Sequence, residues 1–475
     1  MPSPHTHLDA LAVDTLRALT MDAVEAAKSG HPGAPMSLAP LGWTIFTRLA
    51  RHDPTTPSWP GRDRFVLSAG HASMLQYGLL HLTGYGVSLD DIKSFRQWGS
   101  NTPGHPEYGH TPGVEATTGP LGQGFAHSVG MAMAARHLSS RFDRPDHALF
   151  DHRIFVIASD GDTMEGVVAE SASLAGHLGL GQLVVFWDDN RITIDGRTDI
   201  SFTEDVLSRF AAYGWHTASV DDGGDMDAIE NTAREAMADP RPSLIRVRTI
   251  IGYPAPTKKD SPKAHGSPLG EEEVRQTKEL MGWPLDELFL VPEQIEEARR
   301  SVVERGRETR EDWNARVVAW KQAHQDQAPE LDRILNGEMP AGWDEDLPAF
   351  ETDADTLHHL GGCLGSDGSD SRQSPGGSVA PVRPAGGGTV AACRSSRFGW
   401  DGDGLPRRRP VGTPCRGEGV APPLGSPVGF PRAVSAGGQP GDAGGEPVHR
   451  PRDRRGLRGR RPVHGDRVHP GPQPR

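Results

Sequence analysis

Along the first 327 residues, short apolar runs alternate with longer stretches in which apolar residues return every three or four positions. The clearest case lies between Ile154 and Gly196. It opens as IFVIA, turns through Ser159-Asp160-Gly161-Asp162, continues as TMEGVVAESASLAGHLGLG and returns as LVVFWDDNRITIDG. An apolar run, an acidic turn, a helical stretch and a second apolar run predict a βαβ unit, whose crossover helix covers a parallel sheet. The same rhythm extends both ways. Leu8, Leu11, Leu16, Leu19 and Val24 predict an amphipathic helix from Leu8 to Lys28, with Gly30 as its left-handed cap. Ser37 is placed to cap a second helix reaching about Ala50. Further strands are predicted at Arg64 to Leu67, His216 to Val220 and Leu244 to Ile251. Helices are predicted near Ala72 to Leu82, Phe125 to Phe142, Glu204 to Ala212, Met226 to Met237, Glu271 to Met281 and Pro292 to Gln327. This pattern predicts an α/β fold, a doubly wound parallel sheet with helices on both faces. Residues 1–327 form the expected domain. A linker is expected over 328–356, opening at Pro329, where a helix is not expected to continue.

Composition narrows the classes. The formal charge of −13 and a pI near 5.9 argue against a general nucleic-acid binder. Mean hydropathy is −0.51, and no apolar run approaches the roughly 18 residues of a membrane span. No basic segment followed by an apolar one opens the chain, so a cytoplasmic location is expected. Cys363, Cys393 and Cys415 lie in the last quarter without metal-site spacing.

Ligands of parallel sheets gather at the carboxyl edge. Asp160 and Asn190 follow the two strands of the βαβ unit and are expected there together. A carboxylate, an amide oxygen and a backbone carbonyl are hard donors, suited to Mg²⁺ that completes its shell with phosphate oxygens and water. Gly161 lets backbone approach a phosphate. Ser68-Ala69-Gly70-His71 arrives at the same edge after its strand. Gly119-Pro120-Leu121-Gly122-Gln123-Gly124 precedes a helix whose N-terminus suits an anion. His31, between two turn formers, and His105, in the long polar stretch from Gln97 to Thr118, are further candidates.

Together these residues carry a family resemblance. SGHPGAPMS at Ser29 to Ser37, DRFVLSAGHASML at Asp63 to Leu75, TPGHPE at Thr102 to Glu107, TTGPLGQG at Thr117 to Gly124, SDGDTMEG at Ser159 to Gly166, DDNRITIDG at Asp188 to Gly196, AAYGW at Ala211 to Trp215 and SPKAHGSPLG at Ser261 to Gly270 resemble transketolase in order and spacing. Ser159 stands where the metal motif of thiamine enzymes usually has glycine, which suits a turn that does not need positive φ.

The resemblance implies two-carbon ketol transfer from a ketose phosphate to an aldose phosphate in the pentose phosphate pathway. It implies thiamine diphosphate and Mg²⁺, with Ca²⁺ or Mn²⁺ as substitutes. Asp160, Asn190 and the carbonyl of Ile192 would hold the metal; Gly161 and Gly119, Pro120 and Leu121 would line the cofactor; His71 and His265 would donate to its diphosphate. His31, His105 and His265 would surround the sugar, imidazole being able to stabilise charge and move protons. Glu165 and Glu170 would join a carboxylate network between the two sites of a homodimer. Lys258 and Lys259 are placed to attract a phosphorylated sugar.

After about Thr356 the composition changes. From Gly361 to Arg475 there is no Ile, Lys, Asn, Tyr or Met, and Gly, Pro, Arg and Ser dominate. Residues 357–475 are therefore expected to be disordered, read here as a frameshift in a GC-rich gene rather than an Arg-rich RNA-binding tail. In the family the second, pyrimidine-binding domain should begin here, and no position of this chain matches its glutamate or its phosphate-gripping residues. Little activity is thus expected from this chain alone. Two alternatives stand beside it: the first subunit of a split enzyme, and a non-catalytic thiamine diphosphate-binding protein.

Overall fold

The computed structural model describes residues 5–347. The Gly-, Pro- and Arg-rich segment expected at 357–475 lies outside them. So do 348–356 of the expected linker and the three cysteines.

In chain order the elements are α1 (His5–Ala27), α2 (Gly33–Thr44) continued by a π-helical turn (Ile45–Leu49), β1 (Arg64–Leu67), α3 (Ser73–Thr83), α4 (Leu89–Lys93), α5 (Gln123–Phe142), β2 (Ile154–Ser159), α6 (Asp160–Met164) and α7 (Gly166–Leu178). There follow β3 (Leu183–Asp189), α8 (Val206–Ala212), β4 (His216–Val220), α9 (Met226–Ala238), β5 (Ser243–Arg248), α10 (Glu271–Leu280), α11 (Ile295–Ala323) and α12 (Ala328–Leu335). The five strands form one parallel sheet in the order β1-β2-β3-β5-β4.

Period-2 alternation divides the sheet's side chains between two cores. Phe155, Ile157, Val184, Phe186, Ile245 and Val247 face α1, α2, α3 and α9. Ile154, Val156, Ala158, Val185, Trp187 and Leu244 face α5, α7 and α8. β2 and β3 are buried at every position, as strands covered on both faces must be. The doubly wound parallel sheet read from the sequence is therefore the observed architecture. Among the described residues no helix is long and apolar enough to cross a membrane.

Three local expectations are corrected and one element is added. After α1 the left-handed residue is Lys28 (φ 51°), while Gly30 takes φ 139°. Ser37 does not cap α2, which already begins at Gly33; its hydroxyl donates back to the Gly33 and Ala34 carbonyls inside the helix. α4 escaped notice although Ser88 and Asp91 form a reciprocal capping box. The first part of the expected linker is helix α12, with Pro329 in its first turn, where a missing N–H costs nothing. Its Leu331 is fully buried with Trp313 and Trp320, and Glu330 pairs with Arg141 at 2.6 Å.

Candidate functional site

The carboxyl edge of the sheet is organised by a carboxylate. β2 ends at Ser159, whose hydroxyl and the Asp162 carboxylate cap α6 reciprocally. Ser159 has φ −99°, so the position does not need glycine. The Asp162 carboxylate also accepts from Ser68 Oγ, beyond β1, and from the Gly122 amide, at the entry of α5, both at 2.7 Å. Ser68 Oγ in turn accepts from the Phe125 amide at 2.9 Å. One buried carboxylate thus ties together the three segments that follow β1, precede α5 and follow β2. Two of the amides that seemed free to meet an anion at the α5 N-terminus are spent on this tie. Asp162 and Ser68 were missed as site builders, although the Ser-x-x-Asp capping pattern at Ser159 was legible.

Asp160 and Asn190 converge as expected. Ser159 pairs with Asp188 in the sheet register, so both residues lie just past paired strand ends. Asp160 Oδ2 accepts from the amide of Arg191, the residue bonded to Asn190, at 2.7 Å, and its Oδ1 accepts from Trp187 Nε1 at 2.9 Å. Asn190 donates through Nδ2 to Asp188 Oδ2 at 2.8 Å, and its Oδ1 accepts from the Ile192 amide at 2.9 Å. Asp188, missed by the sequence reading, is oriented by Thr249 and so fixes the side-chain amide. Arg191 holds φ 62°, an uncommon conformation for a residue with a side chain, at the turn between Asn190 and Ile192.

The electrostatics of this wall favour a cation. Burial, then Asp188, raise the Asp160 carboxyl to about 7, against the Arg191 amide, which lowers it; burial also raises Asp188 to about 6. Among the described residues no three His, Cys, Asp or Glu side chains form a metal cluster. The donor set here needs only one carboxylate, completed by an amide and a carbonyl, and that mixture of hard oxygens fits a divalent ion shared with a polyphosphate.

The four sequence-predicted histidines come together on the other side. His31, His71 and His265 form a triangle of rings, with centroids 5.2 Å (His31–His71), 5.5 Å (His31–His265) and 5.1 Å (His71–His265) apart. His105 lies on the glycine turn: a Cβ at Gly119 would sit 3.3 Å from its ring. Each of the four is half-buried. Burial drives all four below their ordinary value, His31 to about 3, with His265, Arg96 and His105 adding to the shift at His31. The sequence reading took imidazole's near-neutral titration as its qualification; in the folded site the rings are neutral, each with one N–H and one acceptor nitrogen. His265 Nδ1 is buried without a partner, an orphaned atom that a ligand oxygen would satisfy.

The two walls meet through the glycines. A Cβ at Gly161 would lie 2.9 Å from Leu121 Cδ1, so the metal turn and the Gly119–Leu121 turn touch. A Cβ at Gly266 would lie 3.3 Å from His31 Nε2 and 3.4 Å from Ile194, beyond Ile192. The loop carrying His265 is strapped down at several points. Glu273 accepts from the Thr257 and Lys258 amides at 2.7 and 2.8 Å, and Glu25 from the Gly270 amide at 2.5 Å. The buried Lys278–Asp22 pair, 2.7 Å, anchors α10 beneath it. Gly33 has no room for a Cβ, which would strike the Ala264 carbonyl, so the His31 and His265 segments are in backbone contact.

Two expected roles find less support. Lys258 Nζ is spent on the Leu269 carbonyl at 2.5 Å, and Lys259 lies 5.9 Å from the centre of the Tyr253 ring. Glu165, which precedes α7, and Glu170, within it, are both exposed. Glu165 borders the glycine turn, its Cβ 3.0 Å from where a Cβ at Gly122 would be.

Residues 8–340 match the family described as transketolase, thiamine diphosphate binding domain. The chain is 52% identical over 346 residues to the transketolase of Geobacillus stearothermophilus, covering 72% of this chain and 52% of that protein. To the Mycobacterium leprae transketolase it is 51% identical over 354 residues, covering 74% and 51%. It superposes on the Pichia stipitis transketolase complex with sedoheptulose-7-phosphate with a TM-score of 0.70 at 43% identity, covering 74% of this chain and 52% of that one. The Leishmania mexicana transketolase gives 0.70 at 39% identity, covering 72% and 52%. The chain thus spans about half the length of the curated relatives it matches.

Proposed function

Because this chain belongs to the transketolase family through its thiamine diphosphate-binding domain, we propose that residues 8–340 hold the metal–diphosphate end of thiamine diphosphate and present three histidines to a ketose phosphate. The observation that carries this reading is the convergence of an acidic wall and a histidine wall on one sheet edge. Asp160, Asn190 and the Ile192 carbonyl hold Mg²⁺. His71 and His265 donate to the diphosphate, Gly119, Pro120, Leu121 and Gly161 give it close backbone approach, and Glu165 borders it. The bound cofactor supplies the electron sink for breaking a carbon–carbon bond next to a carbonyl. The chain's own part is to orient the sugar. Neutral His31, His105 and His265 donate to its oxygens and accept hydroxyl protons at ring nitrogens.

The substrate class is ketose and aldose phosphates, in line with the sugar phosphate in the Pichia stipitis complex. A second copy of this chain is the partner. The adjoining α5 and α7 support that choice: Met133, Val167 and Leu174 are 40–44% exposed, and Gly130 and Gly166 face open space.

Two-carbon transfer is the activity of the family, and we propose that this chain alone supplies only half of what it requires. The test is direct. The purified chain, given thiamine diphosphate and Mg²⁺, is assayed with xylulose 5-phosphate and ribose 5-phosphate. Cofactor binding with little turnover is expected; turnover like that of an intact relative contradicts the half-site reading. Turnover restored by a separate polypeptide bearing the remaining half of the family's length would identify a split enzyme.

A further inference from the structure

Arg96 stands between the two turns that carry His31 and His105. Its backbone lies in the left-handed region, φ 61°, an uncommon conformation for a side-chain-bearing residue and one that persists only where its surroundings impose it. Here they do. The Arg96 amide donates to the Thr102 carbonyl at 2.9 Å, and the preceding Phe95 is buried against Gly30, where a Cβ would lie 3.1 Å from the ring. From this fixed point Nη1 donates to Ser29 Oγ at 3.1 Å, two residues before His31. The rest of the guanidinium lies on Gly104, one residue before His105. A Cβ there would be 2.9 Å from Nε and 3.0 Å from Nη2, so only glycine admits the group without displacing it. α3 holds the other side of the same turn, Ser73 Oγ donating to the Gly104 carbonyl and Tyr77 to the Pro103 carbonyl, both at 2.9 Å.

We infer that Arg96 is a positioning residue, which sets the spacing of His31 and His105 by bridging Ser29 and Gly104; its relevance to catalysis rests on the reading of those histidines as substrate-facing groups. A planar guanidinium suits this task because it can lie against backbone while its edge donates. Its charge acts on the same two rings. His31 is lowered first by burial, then by His265, Arg96 and His105; His105 is lowered first by burial, then by Arg96, with Glu107 opposing. For His265 burial is the cause, which makes it an internal control.

Histidine-selective ¹⁵N labelling of the full chain lets each ring be titrated by NMR without any ligand. Arg96→Gln is expected to raise the midpoints of His31 and His105 by about 0.5–1 pH unit and to shift their resonances, leaving the His265 midpoint in place. Arg96→Lys is expected to keep both midpoints low while still shifting the resonances, because it retains the charge and loses the fork. Ser29→Ala, the mildest change, is expected to shift His31 and His105 resonances together, and it decides the matter should Arg96→Gln fail to fold. Unmoved His31 and His105 signals in a folded Arg96→Gln or Ser29→Ala chain overturn the inference. Binding of thiamine diphosphate with Mg²⁺ is measured on the unsubstituted chain in parallel; its absence would count against the cofactor reading and leave the titration result standing.

Discussion

The two walls of the site are built from opposite materials. The acidic wall stands on the ends of β2 and β3, where Asp160, Asp188 and Asp189 are crowded in a buried place that favours their protonated forms at Asp160 and Asp188. The histidine wall is assembled from four turns far apart in sequence, and burial there favours neutral rings. A cation would favour the ionised carboxylates of the first wall, and ligand oxygens would accept from the ring N–H groups of the second. The proposed metal–diphosphate would meet both walls at once. The comparison also explains why the site is strapped so heavily. Strand ends are fixed by the sheet, whereas each histidine turn needs its own anchor: Arg96 for His31 and His105, and Glu273, Glu25 and the Asp22–Lys278 pair for His265.

Removing the cation's chief ligand should have the largest effect. Asp160→Ala is expected to weaken Mg²⁺-dependent binding of thiamine diphosphate by roughly 100-fold or more, because the metal loses its only full negative charge from the chain. Calorimetric titration checks this, and an unchanged affinity breaks the acidic half of the comparison. Next, Asp162→Ala should injure both walls together. It leaves the Ser68 hydroxyl and the Gly122 amide without their acceptor, costing about 3 kcal/mol of stability in denaturant unfolding. A loss confined to one wall would mean the two are not tied through this residue.

Gly33→Ala separates the walls. The new methyl group must push away the Ala264 carbonyl and with it His265. Binding of thiamine diphosphate should fall about tenfold, while the Mg²⁺ concentration needed for half-maximal binding stays unchanged.

The last test concerns pH. His31, His52 and His152 are held near 3, 4 and 3, below the value of about 6.5 they have when unfolded. With the folded value depressed, the unfolded chain takes protons first. Stability is complete above about pH 6.5 and falls as pH drops toward 4, by up to about 1.4 kcal/mol per unit for each such ring. His152, buried with an unpartnered Nδ1 away from the site, gives a clean check. His152→Leu should flatten the acid side of the unfolding profile, and an unaltered slope would show that its ring is not kept neutral.

Much of this was legible in the sequence, and the reason is local. The continuous apolar runs at Phe155 to Ala158 and Val184 to Trp187 declare strands buried on both faces, and the turns after them can only reach one edge. The four histidines could be named because each sits in a short Gly/Pro-rich motif. What stayed hidden depends on distant partners or on small competing preferences. Arg96 looks like any loop arginine until Ser29 and Gly104 close around it. Asp188 passes for a strand-end acid until Asn190 turns toward it. Ser37 read as a cap, but the helix gained a turn by starting at Gly33. Pro329 read as a stop, but at the first turn of α12 it is harmless, and burial of Leu331 among tryptophans holds that helix in place.

The central claim is that this chain recognises the metal–diphosphate end of the cofactor rather than its organic ring. Calorimetric titration of the full chain with thiamine diphosphate and with thiamine, each with Mg²⁺ and with the metal chelated, tests it most directly. The account predicts binding only when diphosphate and Mg²⁺ are both present, with Mg²⁺–pyrophosphate competing for the site. Equal binding of thiamine, or binding of thiamine diphosphate that survives chelation, would contradict it.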